Sequence, residues 1–217
     1  MDKMDEYYSK RTREYERIYH RDDPIRQSEQ NKIAEAIKKT FRNRKVLEVA
    51  CGTGFWTTFL SESAKNIIAI DNSNAVLEIA RSKHYKCPTY FQKCDAYNLP
   101  FLECSFDGSL VNFWVSHISK EKIGVFLRGL HRVLSDRSRI FIADNVFNEG
   151  IGGKLVQDEG DDNTYKIRTL ESGEQYKVLK NYYSEDQIIN IFGKSTNPLN
   201  IYFGKCFWYI CCELKKD

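Results

Sequence analysis

The sequence predicts an α/β fold: a Rossmann-like, seven-stranded, mostly parallel sheet with helices on both faces and an antiparallel C-terminal strand. Short apolar runs alternate with helical patterns between Lys45 and Ala143, and this alternation is typical of βαβ units in a parallel sheet. The last two apolar runs have no helical segment between them, which indicates an antiparallel hairpin at one sheet edge. A chain of 217 residues is long enough for one domain with a substantial core.

The predicted elements follow in chain order. Residues 1–43 are polar and predict helices; the second starts at the N-cap candidate Ser28, after a break at Asp22-Asp23-Pro24, and ends at Thr40. Residues 145–183 are rich in Gly, Asp and Asn, and so long a connection is usually functional. The other predicted strands span 45–50, 66–70, 89–92, 106–113, 139–143, 199–203 and 206–214, and the other helices span 55–63, 73–82, 120–134 and 184–192.

Composition and charge argue against several classes of protein. The formal net charge of +3 is too small for the strong basic stripe of a nucleic-acid-binding protein, so no nucleic-acid partner is expected. No apolar run is long enough to span a bilayer, and the charged N-terminus lacks the apolar region of a secretory signal. The seven cysteines are scattered, which predicts reduced thiols in a cytoplasmic protein and no metal site. Without a spanning apolar run, no membrane partner is expected.

The segment Glu48–Gly54, with the sequence EVACGTG, lies where a predicted strand turns into a helix. Its glycines let the backbone approach a ligand, and ligands of open α/β sheets bind at the carboxyl ends of the strands. A dinucleotide fingerprint would need a third glycine at Thr57, so NAD is disfavoured. A sulfonium-bearing amino acid nucleoside instead needs an acid for its ribose diol, which Asp71 offers, and an acid for its adenine, which Asp95 offers. Glu48 could orient the loop or meet the ammonium group.

These segments together resemble the ordered motifs of the class I S-adenosylmethionine (SAM)-dependent methyltransferases. The resemblance rests on the glycine loop 48–54, Asp71, Cys94–Phe101 (CDAYNLPF) and Phe106–Leu110 (FDGSL), in that order. It covers residues 44–144, and the final strand pair extends it. One departure is Phe55-Trp56, because many members carry a third small residue after the two loop glycines.

The resemblance implies an enzyme that transfers a methyl group from SAM to an acceptor and leaves S-adenosylhomocysteine (SAH). It divides the single domain 1–217 into an N-terminal helical cap or lid (1–43), a cofactor-binding core (44–144), an acceptor-site insertion (145–183) and a C-terminal helix and strand pair (184–217). The expected cofactor-binding residues are Glu48, Ala50, Cys51, Gly52, Thr53, Gly54, Asp71, Asn72, Asp95, Ala96, Asn112 and Tyr15.

The flanking segments resemble one branch of this family, of bacterial small-molecule type, with no assigned activity. The resembling pieces are Tyr7–Tyr15, Trp114–His117, Asp144-Asn145 and Gly160–Tyr183. We therefore expect a small molecule methylated on oxygen or nitrogen, bound between the N-terminal helix and residues 145–183. The expected acceptor-binding residues are Tyr8, Arg11, Asp144, Asn145 and Arg168.

His117 is the candidate catalytic residue. It follows the fourth strand, where a neutral imidazole could take a proton from the acceptor's hydroxyl or amine; capping the next helix or packing in the pocket wall is the alternative. Arg168 could bind an acidic acceptor or lie at the surface, and Asp144 and Asn145 could equally support a loop. The aromatic and basic residues of the first helix could form a lid over the cofactor or pack an amphipathic helix: Tyr8, Arg11, Tyr15 and Tyr19.

Three rival functions stay open. An RNA or protein methyltransferase is disfavoured because no RNA-binding module is visible and the sequence at Asn112 is NFWV rather than an Asn-Pro-Pro-Tyr-type motif. A non-catalytic SAM-binding protein would bind the cofactor without turnover. An NAD enzyme would need the missing glycine. No oligomeric state follows from the sequence.

Overall fold

The computed structural model describes residues 15–216. A 3-10 helix at Tyr15–His20 and helix α1 at Pro24–Thr40 come first. The next elements are β1 Lys45–Val49, α2 Phe55–Ser61, β2 Asn66–Asp71, α3 Asn74–Arg81, β3 Thr89–Lys93, β4 Phe106–Asn112, α4 Ile123–Val133 and β5 Leu134–Asn145. The last are β6 Leu155–Val156, β7 Tyr165–Thr169, β8 Gln175–Leu179, α5 Glu185–Phe192, β9 Thr196–Phe203 and β10 Phe207–Leu214. Short 3-10 helices lie at Val115–His117, Lys120–Lys122 and Gly193–Ser195.

Seven strands of the described residues form one sheet in the order β3-β2-β1-β4-β5-β10-β9. The first five in this order are parallel to one another. Strand β10 is antiparallel to β5, and β9 is antiparallel to β10. The predicted fold class is therefore confirmed, including the C-terminal hairpin at one edge.

Two hydrophobic cores lie on opposite faces of this sheet. Successive side chains of a strand point to opposite faces, and along β5 the residues Ile140 and Ile142 enter one core while Phe141 and Ala143 enter the other. Helices α1, α2 and α3 contribute to one core, and α4 and α5 contribute to the other. The sheet is thus covered on both faces, as the apolar runs of its parallel strands require.

Helix α1 begins earlier than predicted. Its N-cap is Asp23, whose Oδ1 accepts hydrogen bonds from the backbone N–H of Ile25 (3.1 Å) and Arg26 (3.0 Å). The prediction that Ser28 starts this helix was wrong, because the proline after Asp23 has no N–H to satisfy and its fixed φ suits the first helical turn. Strand β5 also begins earlier, at Leu134 rather than Arg139.

A buried ion pair fastens the segment 145–183 to the sheet. This segment carries a small antiparallel sheet, β6-β7-β8, and just after it Lys180 Nζ lies 3.1 Å from Asp144 Oδ1 and donates to Ser116 Oγ at 2.6 Å. The Lys180 and Asp144 side chains are only 5% and 1% exposed. Burial alone would raise the pKa of Asp144, but the Lys180 ammonium and the backbone N–H groups of Ser116 and Asn145 hold it below its usual value. Three separate parts of the chain therefore meet at one charged contact.

The described residues were compared with the requirements of membrane-spanning helices, disulfide bonds and metal sites. No helix within residues 15–216 is long and apolar enough to cross a bilayer. All seven cysteines lie in this range and none forms a disulfide. No group of three or more His, Cys, Asp or Glu side chains in the same range is arranged to hold a metal ion.

Replacing Lys180 should destabilise the fold strongly. In Lys180→Met the ionised Asp144 stays buried without its cation, and removing one member of a buried pair typically costs about 3–5 kcal/mol. Urea denaturation at neutral pH should show this loss in the free energy of unfolding. The control is Lys177→Met, which removes a surface ion pair with Asp158 whose side chains are 39% and 57% exposed, and should change stability by less than about 1 kcal/mol. Equal losses in the two variants would contradict the structural role of Lys180.

Candidate functional site

A cavity of about 350 Å³ lies at the carboxyl ends of the parallel strands; we call it the large cavity. Most of the residues predicted to bind the cofactor line it: Glu48, Ala50, Cys51, Gly52, Asp71, Asn72, Asp95, Ala96 and Asn112. Thr53 and Gly54 shape the glycine loop without lining the cavity. The side chain of Tyr15, and all of Tyr8 and Arg11, lie outside the described residues. The carboxyl ends of four strands, β1 to β4, thus converge as the motifs predict.

The glycine loop after β1 has a backbone that few residues tolerate. Gly52 and Gly54 have φ of 56° and 78°, in the left-handed region that favours glycine. A Cβ on Gly54 would lie 2.3 Å from Tyr85 Oη. The N–H of Gly52 donates to Asp71 Oδ2 at 2.9 Å, and Asp71 Oδ1 accepts from the N–H of Ser73 at 2.9 Å. Asp71 therefore holds the loop against the end of β2.

Several residues lining the large cavity carry buried polar atoms that have no hydrogen-bond partner within residues 15–216. They are Glu48 Oε2, both amide atoms of Asn112, and the indole Nε1 atoms of Trp56 and Trp114. Buried polar groups are nearly always hydrogen-bonded, so this cluster indicates a ligand that supplies both donors and acceptors.

Burial disfavours ionisation of the Glu48 carboxyl group. Burial raises the pKa of its carboxyl group to about 8; the neighbouring Asp71 charge adds to the shift, and the Thr57 hydroxyl opposes it. A cationic group bound next to Glu48 would favour the carboxylate form. This carboxyl is consequently suited to an ammonium group, which was one of its two predicted roles.

A second cavity, of about 110 Å³, adjoins the first; we call it the small cavity. Tyr19, Phe113 and His117 line both cavities and form their junction. The remaining polar and charged lining of the small cavity comes from the start of α1, the end of β5 and the segment 145–183: Arg21, Asp23, Arg26, Asn145, Asn148, Arg168, Lys180 and Tyr182.

His117 is a buried, neutral histidine at this junction. Its Nδ1 lies 2.7 Å from the carbonyl oxygen of Leu179, and because a carbonyl only accepts, the ring hydrogen is on Nδ1 and the lone pair on Nε2. The pKa of His117 is lowered to about 3, mainly by burial and then by the Lys180 charge, which outweighs the opposing effect of Asp144. The predicted catalytic residue therefore lies between the two cavities as a neutral imidazole.

The aromatic pair Phe55-Trp56 packs against the 3-10 helix Tyr15–His20, which we call the N-terminal segment. The Tyr19 ring stacks on Phe55 with centroids 3.9 Å apart and planes 2° apart, and meets Trp56 edge-on at 6.0 Å. The same segment forms ion pairs through Glu16 to Lys83 and through Arg17 to Glu171. The departure from the family pattern after Gly54 thus provides the contact surface for Tyr19.

Of the described residues predicted to bind an acceptor, some line a cavity and one does not. Asn145 and Arg168 line the small cavity. Asp144 lines neither cavity, because its carboxylate is taken up by Ser116, Asn145 and Lys180. Sequence reasoning missed Arg26 and Lys180, since only the tertiary fold brings α1 and the end of β8 to the strand ends. It also missed Trp56 as a lining residue, although its position two residues after Gly54 was a usable signal.

Comparison with known proteins identifies the core. Residues 46–137 match the family model described as a methyltransferase domain. This segment, less than half of the chain, is similar to methyltransferase domains. The resemblance to the class I methyltransferases is therefore confirmed for the segment that holds the glycine loop, Asp71, Asp95 and Asn112.

The relatives of the methyltransferase domain share the same region. The chain is 33% identical over 111 residues to an O-methyltransferase of Pyrenophora dematioidea, covering 48% of the chain and 40% of the relative. It is 36% identical over 102 residues to the demethylmenaquinone methyltransferase of Thermotoga maritima, covering 46% and 43%. The chain thus spans about two fifths of the length of these relatives. Among solved structures, the protein DhpI in complex with SAH superposes with a TM-score of 0.80 at 20% identity, covering 100% of this chain and 97% of that one, and this likeness confirms the fold.

The raised pKa of Glu48 predicts a pH-dependent stability. The unfolded state ionises near pH 4.5 but the folded state only near pH 8, so stability is present in full below pH 4.5 and is lost as pH rises towards 8. Wild type should lose about 3 kcal/mol of unfolding free energy between pH 5 and pH 8 relative to Glu48→Gln. Urea denaturation of both proteins across this range measures the difference. A pH-independent difference would mean that Glu48 ionises normally.

Proposed function

We propose that the chain is a SAM-dependent methyltransferase of a small molecule, with the cofactor in the large cavity and the acceptor in the small cavity. The observation that carries this proposal is the set of unpartnered buried polar atoms around a large cavity within the methyltransferase domain. The names of relatives support the same activity, since they include an O-methyltransferase and demethylmenaquinone methyltransferases. We further propose that the methylated atom of the acceptor is an oxygen or a nitrogen.

The residues of the large cavity fit the parts of SAM. The carboxylate of Asp71 suits the ribose diol, and the exposed Asp95 suits the adenine amino group. The Glu48 carboxyl and the Asn112 amide suit the ammonium and carboxylate of the methionine part. Solved complexes of DhpI with SAH and with SAM point to the same ligand. A cavity of about 350 Å³ lies in the range typical of small-ligand sites, about 300–1,000 Å³.

The protein's contribution to the reaction is mainly alignment. When bound, SAM supplies a methyl group on a positively charged sulfur, which is already an activated leaving group. Tyr19, Phe113 and His117 form the junction at which the acceptor atom would meet this methyl group, and holding two reactants in line lowers the barrier substantially. The aromatic ring of Tyr19 also offers a favourable surface to a sulfonium cation.

We propose that His117 accepts the proton of the acceptor's hydroxyl or amine as the methyl group is transferred. Its Nδ1–H is oriented by Leu179 O, so Nε2 is the basic atom. Its lowered pKa keeps it neutral, and therefore able to accept a proton, throughout the physiological range, and also makes it a weaker base than a free imidazole. A positioned general base contributes typically about 10²–10⁴-fold to the rate.

Binding of SAH tests the cofactor site directly. Asp71→Ala removes both the ribose acceptor and the contact that holds the N–H of Gly52, and should weaken SAH binding at least about tenfold by calorimetry. Asp107→Ala is the matched control, because Asp107 accepts from the N–H of Lys45 at 2.7 Å at the start of β1, away from the strand ends. It should leave SAH affinity within about twofold. Equal weakening in both variants would contradict a ribose site at Asp71.

Turnover tests the role of His117. Small hydroxyl and amine compounds are screened for transfer of a tritiated methyl group from SAM, and the acceptor found is used with the variants. His117→Gln should lower kcat by about 100-fold with unchanged SAH affinity, and the exposed control His84→Gln should behave like wild type. A silent His117→Gln would leave the residue a structural role.

The same assays separate the rival functions. SAH binding without turnover of any small acceptor would favour a non-catalytic SAM-binding protein, and transfer to RNA or protein alone would favour a macromolecular acceptor. Binding of NAD instead of SAH by the folded protein would contradict the proposal.

A further inference from the structure

The small cavity carries an excess of positive charge. Arg21, Arg26, Arg168 and Lys180 line it, against one carboxylate, Asp23. The Oδ1 of Asp23 is committed to the first turn of α1. Lys180 is neutralised by Asp144. The excess charge therefore comes from the three arginines.

These arginines lack counter-charges among the residues that the structure describes. Within 15–216, Arg21, Arg26 and Arg168 form no ion pair with any acidic side chain, whereas other cations of the segment 145–183 do, such as Lys177 with Asp158. The Nε of Arg26 is buried and has no hydrogen-bond partner in this range. Arginine stays protonated at any physiological pH, so the charge cannot be relieved by losing a proton.

The arginines also repel one another. Burial lowers the pKa of Arg26, and the neighbouring Arg21 charge lowers it further. Arg168 is close enough to contribute, with Lys180, to the lowered pKa of His117. Crowding like charges around a partly buried space is unfavourable unless an anion occupies it.

The position and size of the small cavity connect this charge to the acceptor. The cavity opens on the junction formed by Tyr19, Phe113 and His117, and its volume of about 110 Å³ is less than a third of that of the large cavity. It accommodates a compact group rather than a nucleoside. Guanidinium groups form paired hydrogen bonds with carboxylate and phosphoryl oxygens.

We propose that the methyl acceptor carries a compact oxyanion group, a carboxylate or a phosphoryl group, bound in the small cavity by Arg168 and Arg26 with Arg21 at its rim. This inference rests on the proposed function, because it assigns the small cavity to the acceptor. Arg26 belongs to α1 and Arg168 to β7, so the anion would join helix α1 to the segment 145–183. Acceptors without an anionic group would bind poorly.

An NMR titration of the full chain saturated with SAH tests this inference. The probes are malonate, inorganic phosphate and uncharged malonamide, added at constant ionic strength. Malonate or phosphate should shift the backbone amide signals of residues lining the small cavity and saturate at one site, and malonamide should not. The two anions distinguish a carboxylate from a phosphoryl preference.

Variants locate the anion. Arg168→Met and Arg26→Met should each weaken the binding of the preferred anion at least about tenfold, and Arg168→Lys should have a smaller effect because it keeps the charge but loses the paired geometry. Arg128→Met is the control, since Arg128 is exposed on α4 and lines neither cavity; it should change binding by less than about twofold.

The outcomes separate the two proposals. SAH binding with no anion-dependent shift in the small cavity, or with anion binding that ignores Arg168 and Arg26, overturns the oxyanion inference and leaves the proposed function intact. Failure of SAH itself to shift the residues of the large cavity overturns the proposed function.

Discussion

The buried contact between Lys180 and Asp144 is the interaction on which the architecture of the site depends. Asp144 ends the central strand β5, Ser116 follows β4, and Lys180 follows the small sheet of the segment 145–183. Two opposite charges at this depth are favourable only when each is fully hydrogen-bonded, and here the Ser116 hydroxyl and two backbone N–H groups complete the set. The contact fixes the segment 145–183 over the strand ends, which gives the small cavity a wall and orients Leu179 O towards His117.

The N-terminal segment closes the site from the other side. Its contact with the core is aromatic, through the stack of Tyr19 on Phe55, and its contact with the segment 145–183 is ionic, through Arg17 and Glu171. Helix α1, by contrast, is part of the packing layer: Ile33 and Ile37 are fully buried, and Glu29 accepts hydrogen bonds from three successive N–H groups at the start of β10. The junction between the cavities therefore lies where the residues ahead of α1 meet the carboxyl ends of the sheet strands.

The parts of the fold and site that the sequence predicted are those encoded by local pattern. The glycine loop, Asp71, Asp95 and Asn112 each lie within a few residues of the end of a predicted strand. Parallel strands bring such ends to one edge of the sheet. The start of α1 was also encoded locally, at Asp23-Pro24, but the prediction chose Ser28. Arg26 and Lys180 could not be found this way, because their neighbours are set by packing between segments far apart in sequence: Lys180 meets Asp144 and Ser116, 36 and 64 residues away. Asp144 lies at the carboxyl end of β5, as predicted, but its carboxylate is bound by Lys180, a residue that no motif predicts.

A crystal structure of the protein with SAH bound tests the central claim most directly. The account predicts SAH in the large cavity, with its ribose on the Asp71 carboxylate, its amino acid part next to Glu48 and Asn112, and its sulfur facing the junction of Tyr19, Phe113 and His117. The small cavity should stay open to that sulfur. SAH bound elsewhere, or bound with its sulfur turned away from His117, or no binding to the folded protein at saturating concentration, would contradict the account.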